Sequence, residues 1–172
     1  DDTTPIRLEN DSLAVPATRF TYAMGKLVLW SSKPGYVDAQ GAILKTGDFK
    51  HLAIANPKLA VYGAAGVTAL KNLGLHGRVE SRLVEAENIT QAYQFVSTGN
   101  AELGFVALSQ IYKNGEIASG SHWMVPAQLY PQIRQDIVLL KKGENNPAAK
   151  ALLGYMKSDA ARAVIRSFGY DL

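Results

Sequence analysis

The stretch that decides the fold class is residues 52–107, where short apolar runs alternate with segments of helical periodicity. It opens with LAIANPKLAVYGAAGVTALKNL (residues 52–73) and, after a short link, continues with SRLVEAENITQAYQFVSTGNAELGFVA (residues 81–107). The apolar runs predict strands, and apolar residues that recur every three or four positions predict helices between them. The strands are expected at Leu52–Ala55, Ser81–Val84 and Leu103–Ala107, and the helices at Tyr62–Leu73 and Ile89–Val96. Strands that alternate with helices indicate the α/β class with a largely parallel sheet.

The residue types at the ends of the two helices support these boundaries. Asn88 precedes the second helix, and its side-chain oxygen can accept a hydrogen bond from a helical N–H group that has no other acceptor. Gly74 follows the first helix and Gly99 follows the second, which are the positions where glycine ends a helix.

The flanks of this stretch continue the pattern. The first twenty residues are mostly polar and are expected to form a loop, because Pro5 and Pro16 interrupt them. Further strands are expected at Tyr22–Trp30, His122–Val125 and Gln135–Leu140, and a short helix at Leu108–Tyr112. Two C-terminal helices are expected after Asn146 and Ser158, with apolar stripes formed by Ala149, Leu152, Leu153 and Met156, and by Ala161, Val164, Ile165 and Phe168.

Composition excludes several classes of protein. An apolar share of 47% and a charged share of 19% over 172 residues are ordinary for a globular protein with a core. No apolar run approaches the roughly 20 residues that a membrane-spanning helix needs. The net charge of +3 comes from scattered residues and not from a basic stripe, so the sequence predicts no nucleic-acid partner. The absence of cysteine excludes disulfides and thiolate chemistry.

The motifs of enzymes are missing from the chain. It contains no Gly-x-Ser-x-Gly elbow and no phosphate-binding loop with Lys followed by Ser or Thr. The three histidines, His51, His76 and His122, are far apart in sequence and do not form a metal-binding motif. We therefore expect no catalytic residues, no metal and no cofactor.

Two helix starts that directly follow strands are candidate anion sites. Tyr62-Gly63 begins one helix and Asn88-Ile89 begins the other. The first turn of a helix leaves N–H groups without intrahelical acceptors and carries a partial positive charge, so it can bind an anion without a charged side chain. Gly63 and Gly66 would let an anion approach the backbone, or they could serve helix–strand packing alone. Without further information, the simpler interpretation is that Tyr62 is a surface or core aromatic residue and that Ile89 packs in the apolar stripe of its helix.

Several segments in order resemble one known family. They are Asn56-Pro57, Tyr62–Gly66, Glu85–Ile89, Glu102–Ala107 and the ending from Tyr155 to Tyr170, together with Phe20–Ser31, which is similar to the family's first crossover strand. These segments resemble the molybdate-binding proteins of ABC importers, a branch of the type II periplasmic binding proteins. The resemblance runs over nearly all of the chain.

The resemblance implies a two-lobed α/β fold in which two strands cross between the lobes and the oxyanion is enclosed. It implies that residues 1–26 are a remnant of lobe one with the first crossover strand. Residues 27–135 would form a complete lobe two. Residues 136–172 would form the return crossover strand and the C-terminal helices of lobe one. The family's first strands and helices, with two anion-binding turns, would precede Asp1, so the chain is expected to bind its ligand weakly.

The resemblance also implies which residues bind the ligand. Backbone N–H groups of Tyr62, Gly63 and Ile89 would bind molybdate or tungstate, with Asn88 and Ala107 as possible secondary contacts. Ala107 stands where the family usually has a tyrosine, so that hydroxyl contact is lost, although Tyr62 could replace it. The implied partner is the membrane permease of an ABC importer, and the implied location is the periplasm. The C-terminal helices are expected to mediate self-association.

Two other functions use the same fold. One is the ligand-binding effector domain of a transcription regulator, which a helix-turn-helix joined to this domain would indicate. The other is an enzyme, which would need a cofactor anchor or convergent acid and base groups. Neither feature is found in the sequence, so we expect a solute-binding protein and not an enzyme.

Overall fold

The computed structural model describes residues 1–113 and 115–172, and the chain divides into two units. Residues 1–25 and 133–172 form unit 1, and residues 26–132 form unit 2. The described helices are α1 (Thr3–Asn10), α2 (Ile43–Thr46), α3 (Val61–Asn72), α4 (His76–Val79), α5 (Ile89–Ser97), α6 (Leu108–Ile111), α7 (Pro147–Tyr155) and α8 (Asp159–Ser167). The described strands are β1 (Phe20–Gly25), β2 (Leu27–Ser31), β3 (Leu52–Ala55), β4 (Leu83–Ala86), β5 (Leu103–Ala107), β6 (Tyr112–Lys113), β7 (Glu116–Ile117), β8 (Ser121–Met124) and β9 (Ile133–Ile137).

Unit 2 is built on a five-stranded sheet with the order β4-β3-β5-β2-β8. Strands β4, β3 and β5 are parallel, whereas β2 runs antiparallel to both β5 and β8. The prediction of a largely parallel sheet is therefore wrong for one side of it. All five residues of β2 are buried, as in a parallel strand covered on both faces, so its apolar run does not reveal its direction.

The core of unit 2 lies along the central strands. Leu27 and Leu29 of β2, Ile54 of β3 and Phe105 of β5 are at most 1% exposed. Burying a side chain of this size stabilises a fold by about 1.5–3 kcal/mol. On one side of the sheet, Trp30 stacks on Tyr93 of α5 with 5.3 Å between ring centroids. This packing attaches α5 to strand β2 of the sheet.

The predicted starts of α3 and α5 are close to the observed ones. Helix α5 begins at Ile89, and the Asn88 side chain accepts a hydrogen bond from the Gln91 N–H at 3.0 Å, which confirms the predicted cap. Helix α3 begins at Val61, one residue before the predicted start. Both helices are followed by a glycine with positive φ, Gly74 at +69° and Gly99 at +78°.

Unit 1 combines the antiparallel pair β1 and β9 with helices α1, α7 and α8. The predicted starts of the last two helices are confirmed. Asn146 accepts hydrogen bonds from two N–H groups of α7, and Ser158 accepts one from the Ala161 N–H. The apolar stripes leave an exposed face on these helices, which includes Leu152, Tyr155, Val164 and Phe168.

The structure corrects the expectation that the first twenty residues form a loop. Helix α1 occupies Thr3–Asn10, and none of its residues is buried. Pro5 is its third residue, within the first turn, where the N–H that proline lacks would have no intrahelical acceptor.

Strand boundaries are corrected as well. The strand predicted at Tyr22–Trp30 is two strands, β1 and β2, which belong to different sheets and separate at Lys26. Strand β4 begins two residues after the predicted Ser81, because the 3-10 turn at Glu80–Arg82 precedes it. Strand β9 lies at Ile133–Ile137 and not at Gln135–Leu140, since its register with β1 determines its ends.

Candidate functional site

The candidate site is the edge of the unit 2 sheet from which α3 and α5 start. Parallel strands β3 and β4 end level with each other, because Ala55 is in register with Ala86. The next residue along the chain, Asn56, donates its N–H to the Ala86 carbonyl at 2.7 Å. The segments that lead into the two helices therefore leave the sheet side by side. This is the carboxyl edge, where ligands bind in α/β proteins.

Asn56 shapes the link between β3 and α3. Its side-chain oxygen accepts the Lys58 N–H at 2.9 Å, and its carbonyl accepts the N–H groups of Leu59 and Ala60. Helix α3 then begins after Ala60 without a side-chain cap. Tyr62 and Gly63 are its second and third residues, and both are buried.

Gly63 and Gly66 lie against the sheet. A Cβ on Gly63 would stand 2.0 Å from the carbonyl oxygen of Ala55, and a Cβ on Gly66 would stand 3.1 Å from Ile54 and 3.2 Å from Phe105. Gly63 is therefore required for close packing of α3 on the strands, and Gly66 packs tightly against these two side chains. Of the two interpretations drawn from the sequence, the structure supports packing for these Cα positions, and the Gly63 N–H stays a predicted donor.

The start of α5 has its own hydrogen-bond pattern. The Asn88 side-chain oxygen is used by the Gln91 N–H, and the Gln91 side-chain oxygen accepts the Glu87 N–H at 2.6 Å. The cap thus serves the third residue of the helix. The first two residues, Ile89 and Thr90, are the other positions whose N–H groups lack intrahelical acceptors. Thr90 is exposed and Ile89 is half-buried.

Gln110 is a residue at this edge that the sequence analysis missed. Its Oε1 accepts the Ala107 N–H at 3.0 Å, and its Nε2 donates to the Ile89 carbonyl at 3.1 Å. The Ala107 N–H, predicted as a possible secondary contact, is thus used within the protein. The bond to Ala107 has a sequence signal, because glutamine at the third position of a helix often bonds back to the capping residue. The bond to Ile89 joins segments 21 positions apart and has no sequence signal.

A carboxylate with a lowered pKa, Glu102, lies at the opposite edge of the sheet. Glu102 lies just before β5, and His51 lies just before β3. Burial raises the pKa of Glu102, but the His51 N–H, which donates to it at 2.8 Å, and neighbouring backbone groups lower it, so the net pKa is below its ordinary value. The candidate donors at the carboxyl edge, by contrast, are neutral backbone N–H groups of α3 and α5.

Across residues 1–113 and 115–172, no three His, Asp or Glu side chains are grouped in a way that could hold a metal ion. Within the same ranges, no helix combines the length and the apolar character needed to cross a bilayer.

Comparison with known proteins gives a match over the whole chain. A family model described as bacterial extracellular solute-binding protein matches residues 1–171. The molybdate-binding protein of Azotobacter vinelandii is 61% identical over 172 residues, which are 100% of this chain and 68% of that protein. The molybdate-binding protein of Rhodobacter capsulatus is 50% identical over 171 residues, which are 99% of this chain and 66% of that protein. The chain therefore spans about two thirds of the length of these relatives.

A solved structure gives the same result for the fold. The periplasmic molybdate-binding protein of Azotobacter vinelandii matches with a TM-score of 0.95 at 44% identity. The match covers 100% of this chain and 75% of that chain.

Proposed function

This chain belongs to the family of bacterial extracellular solute-binding proteins, and we propose that it captures molybdate for an ABC importer. The observation that carries the proposal is the 61% identity over all 172 residues with a molybdate-binding protein. The predicted fold, that of the type II periplasmic binding proteins, is confirmed by the family model and by the structural match.

The chemistry of the carboxyl edge suits a tetrahedral dianion. The proposed donors are the backbone N–H groups of Tyr62, Gly63 and Ile89, at the starts of two helices that leave adjacent strands. A hydrogen bond to a charged acceptor contributes about 1.5–3 kcal/mol, and the helix termini add partial positive charge. Asn88 and Ala107 are weaker candidates, because the Asn88 oxygen and the Ala107 N–H already have partners within the protein.

The finer parts of the proposal follow from this binding role. In this role molybdate is a transported ligand and not a cofactor. No catalytic residue is assigned. Tungstate has nearly the same size and charge, so backbone donors would accept either anion. The proposed partner is the membrane permease of an importer, and the proposed location is the periplasm, as for the Azotobacter vinelandii protein. The division into a complete lobe two and the remainder of lobe one likewise stays a proposal.

Titration of the chain with molybdate tests the function. A ligand that binds only the folded state raises the melting temperature in proportion to the logarithm of its concentration once the site is saturated. We expect molybdate and tungstate to raise it at concentrations where sulfate does not, and calorimetry to give one site. The dissociation constant also tests the expectation of weak binding. Equal responses to all three anions, or no response at any concentration, would contradict the proposal.

A proline substitution tests one donor directly. Ile89→Pro removes the Ile89 N–H while placing proline at the first helical position, which tolerates it. Ile89→Ala removes the side chain and keeps the N–H, so the pair isolates the hydrogen bond. We expect Ile89→Pro to bind molybdate about 10- to 150-fold more weakly than Ile89→Ala, the loss of one charge-assisted hydrogen bond. Asp159→Pro, at the first position of α8, is the matched control and should leave affinity unchanged.

We also propose that two copies of the chain associate through the exposed face of α7 and α8. Leu152, Tyr155, Val164 and Phe168 are each more than half exposed there. Exposed apolar surface of this kind favours association, because burying it removes the surface from water.

A further inference from the structure

Gln110 connects the end of β5 to the start of α5 through both ends of its side-chain amide. Oε1 accepts the Ala107 N–H at 3.0 Å, and Nε2 donates to the Ile89 carbonyl at 3.1 Å. We infer that Gln110 is a positioning residue for the anion site: it orients the first turn of α5 so that the donors of Ile89 and Thr90 converge on the ligand. This inference rests on the proposed function and assigns a role in it to a side chain that does not touch the ligand.

The covalent geometry of the backbone explains how Gln110 acts on the donors. The Ile89 carbonyl and the Thr90 N–H belong to one planar peptide group. A hydrogen bond that fixes the carbonyl therefore fixes the direction of the Thr90 N–H. The preceding peptide group, which carries the Ile89 N–H, is bonded to the same Ile89 Cα atom. Its orientation is therefore restrained as well.

The other end of the amide is bonded to a rigid part of the molecule. Ala107 is the last residue of β5, and all five residues of that strand are buried. Strand β5 pairs with β3 on one side and β2 on the other. Gln110 therefore links the start of α5 to a strand at the centre of the sheet, and not to another surface loop.

Other contacts are sufficient to keep α5 folded without Gln110. Ala92 and Val96 of α5 are fully buried, and Asn88 caps the helix independently. Gln110 itself is only half-buried. Its removal should thus loosen the first turn while the rest of the helix stays in place, which affects the ligand more than the fold.

This role predicts an effect on selectivity as well as on affinity. Donors held at fixed positions favour the anion whose oxygens reach them all, and a site that is loosened by about 1 Å loses that preference. Sulfate is smaller than molybdate. Loosening the first turn of α5 should therefore weaken molybdate binding more than sulfate binding.

The test compares Gln110→Met with Gln94→Met. Gln94 is an exposed glutamine on α5, so its replacement is a matched control for the loss of an amide. We expect Gln110→Met to raise the molybdate dissociation constant about 5- to 20-fold, the loss of one or two neutral hydrogen bonds, and to lower the molybdate-over-sulfate preference. Gln94→Met should change neither. Unchanged affinity and preference in Gln110→Met would overturn the inference.

Amide hydrogen exchange without ligand separates this inference from the proposed function. In Gln110→Met, exchange of the Ala107 amide should become at least about fivefold faster, because a hydrogen bond of about 1 kcal/mol or more is lost. Exchange at Val96, further along α5, should not change. If the wild-type chain fails to bind molybdate, the proposed function fails, while faster exchange at Ala107 alone still supports the anchoring by Gln110. Unchanged exchange at Ala107 contradicts the anchoring whatever the binding result.

Discussion

At the scale of the residue, the contact of Gly63 with the carbonyl of Ala55 determines how α3 meets the sheet. A side chain at this position has no room, since its Cβ would lie 2.0 Å from that oxygen. The same helix start carries the proposed donors of Tyr62 and Gly63. Packing and the proposed ligand binding therefore involve one backbone position.

Replacing Gly63 by alanine should disturb both. We expect Gly63→Ala to lower the free energy of unfolding by about 1–3 kcal/mol, because overpacking forces the helix away from β3. The displaced helix start should also weaken molybdate binding. Urea denaturation measures the first effect and calorimetry the second.

Gly77→Ala is the control for that change. Gly77 lies in α4 with a negative φ, and no atom stands within 4 Å of its added Cβ. Alanine there should be neutral or stabilising by roughly 0.5–1 kcal/mol. If Gly63→Ala is as stable as Gly77→Ala and binds molybdate normally, the close approach of α3 to β3 is not needed.

At the scale of the element, α5 is defined by its cap. Asn88 accepts the Gln91 N–H, and this bond sets which residues begin the helix. The sequence predicts both the cap and the first residue of α5, because capping needs only atoms that are close along the chain. The position of the helix on the sheet needs Trp30, Ala92 and Val96 as well, which pack in three dimensions.

Loss of a capping asparagine should weaken molybdate binding at α5 but not at α7. Asn88→Ala and Asn146→Ala each remove a capping asparagine, from α5 and α7 respectively. Each should lower the free energy of unfolding by about 1 kcal/mol. Only Asn88→Ala should weaken molybdate binding, because the frayed helix start carries the proposed Ile89 donor. Equal binding by the two variants would show that the start of α5 does not contact the anion.

At the scale of the whole molecule, the exposed face of α7 and α8 predicts an equilibrium between one copy and two. We expect sedimentation velocity to show a concentration-dependent dimer. Val164→Lys places a charge on the face, where Val164 is 54% exposed, and should keep the chain monomeric. Ala163→Lys is the matched control, because it adds the same charge at a neighbouring exposed position of α8 that lies outside the apolar stripe. A wild-type chain that stays monomeric at all concentrations contradicts the proposed association.

The sequence by itself determined the features that depend on neighbours along the chain. Apolar periodicity predicts α3 and α5 almost to their ends, and Leu52–Ala55 and Leu103–Ala107 as strands with the observed bounds. The α/β class follows from their alternation. Helix α1 was not predicted, because its residues are mostly polar, none is buried, and Pro5 lies within it.

Only the tertiary structure decided which strands are neighbours and in which direction they run. The sheet order β4-β3-β5-β2-β8 brings the ends of β3, β4 and β5 to one edge, although these strands are separated along the chain. Strand β2 runs antiparallel beside them with the same apolar composition as a parallel strand. The bond between Gln110 and Ile89 exists only in this arrangement. Such contacts depend on how elements pack, and local periodicity carries no information about the partner across a sheet.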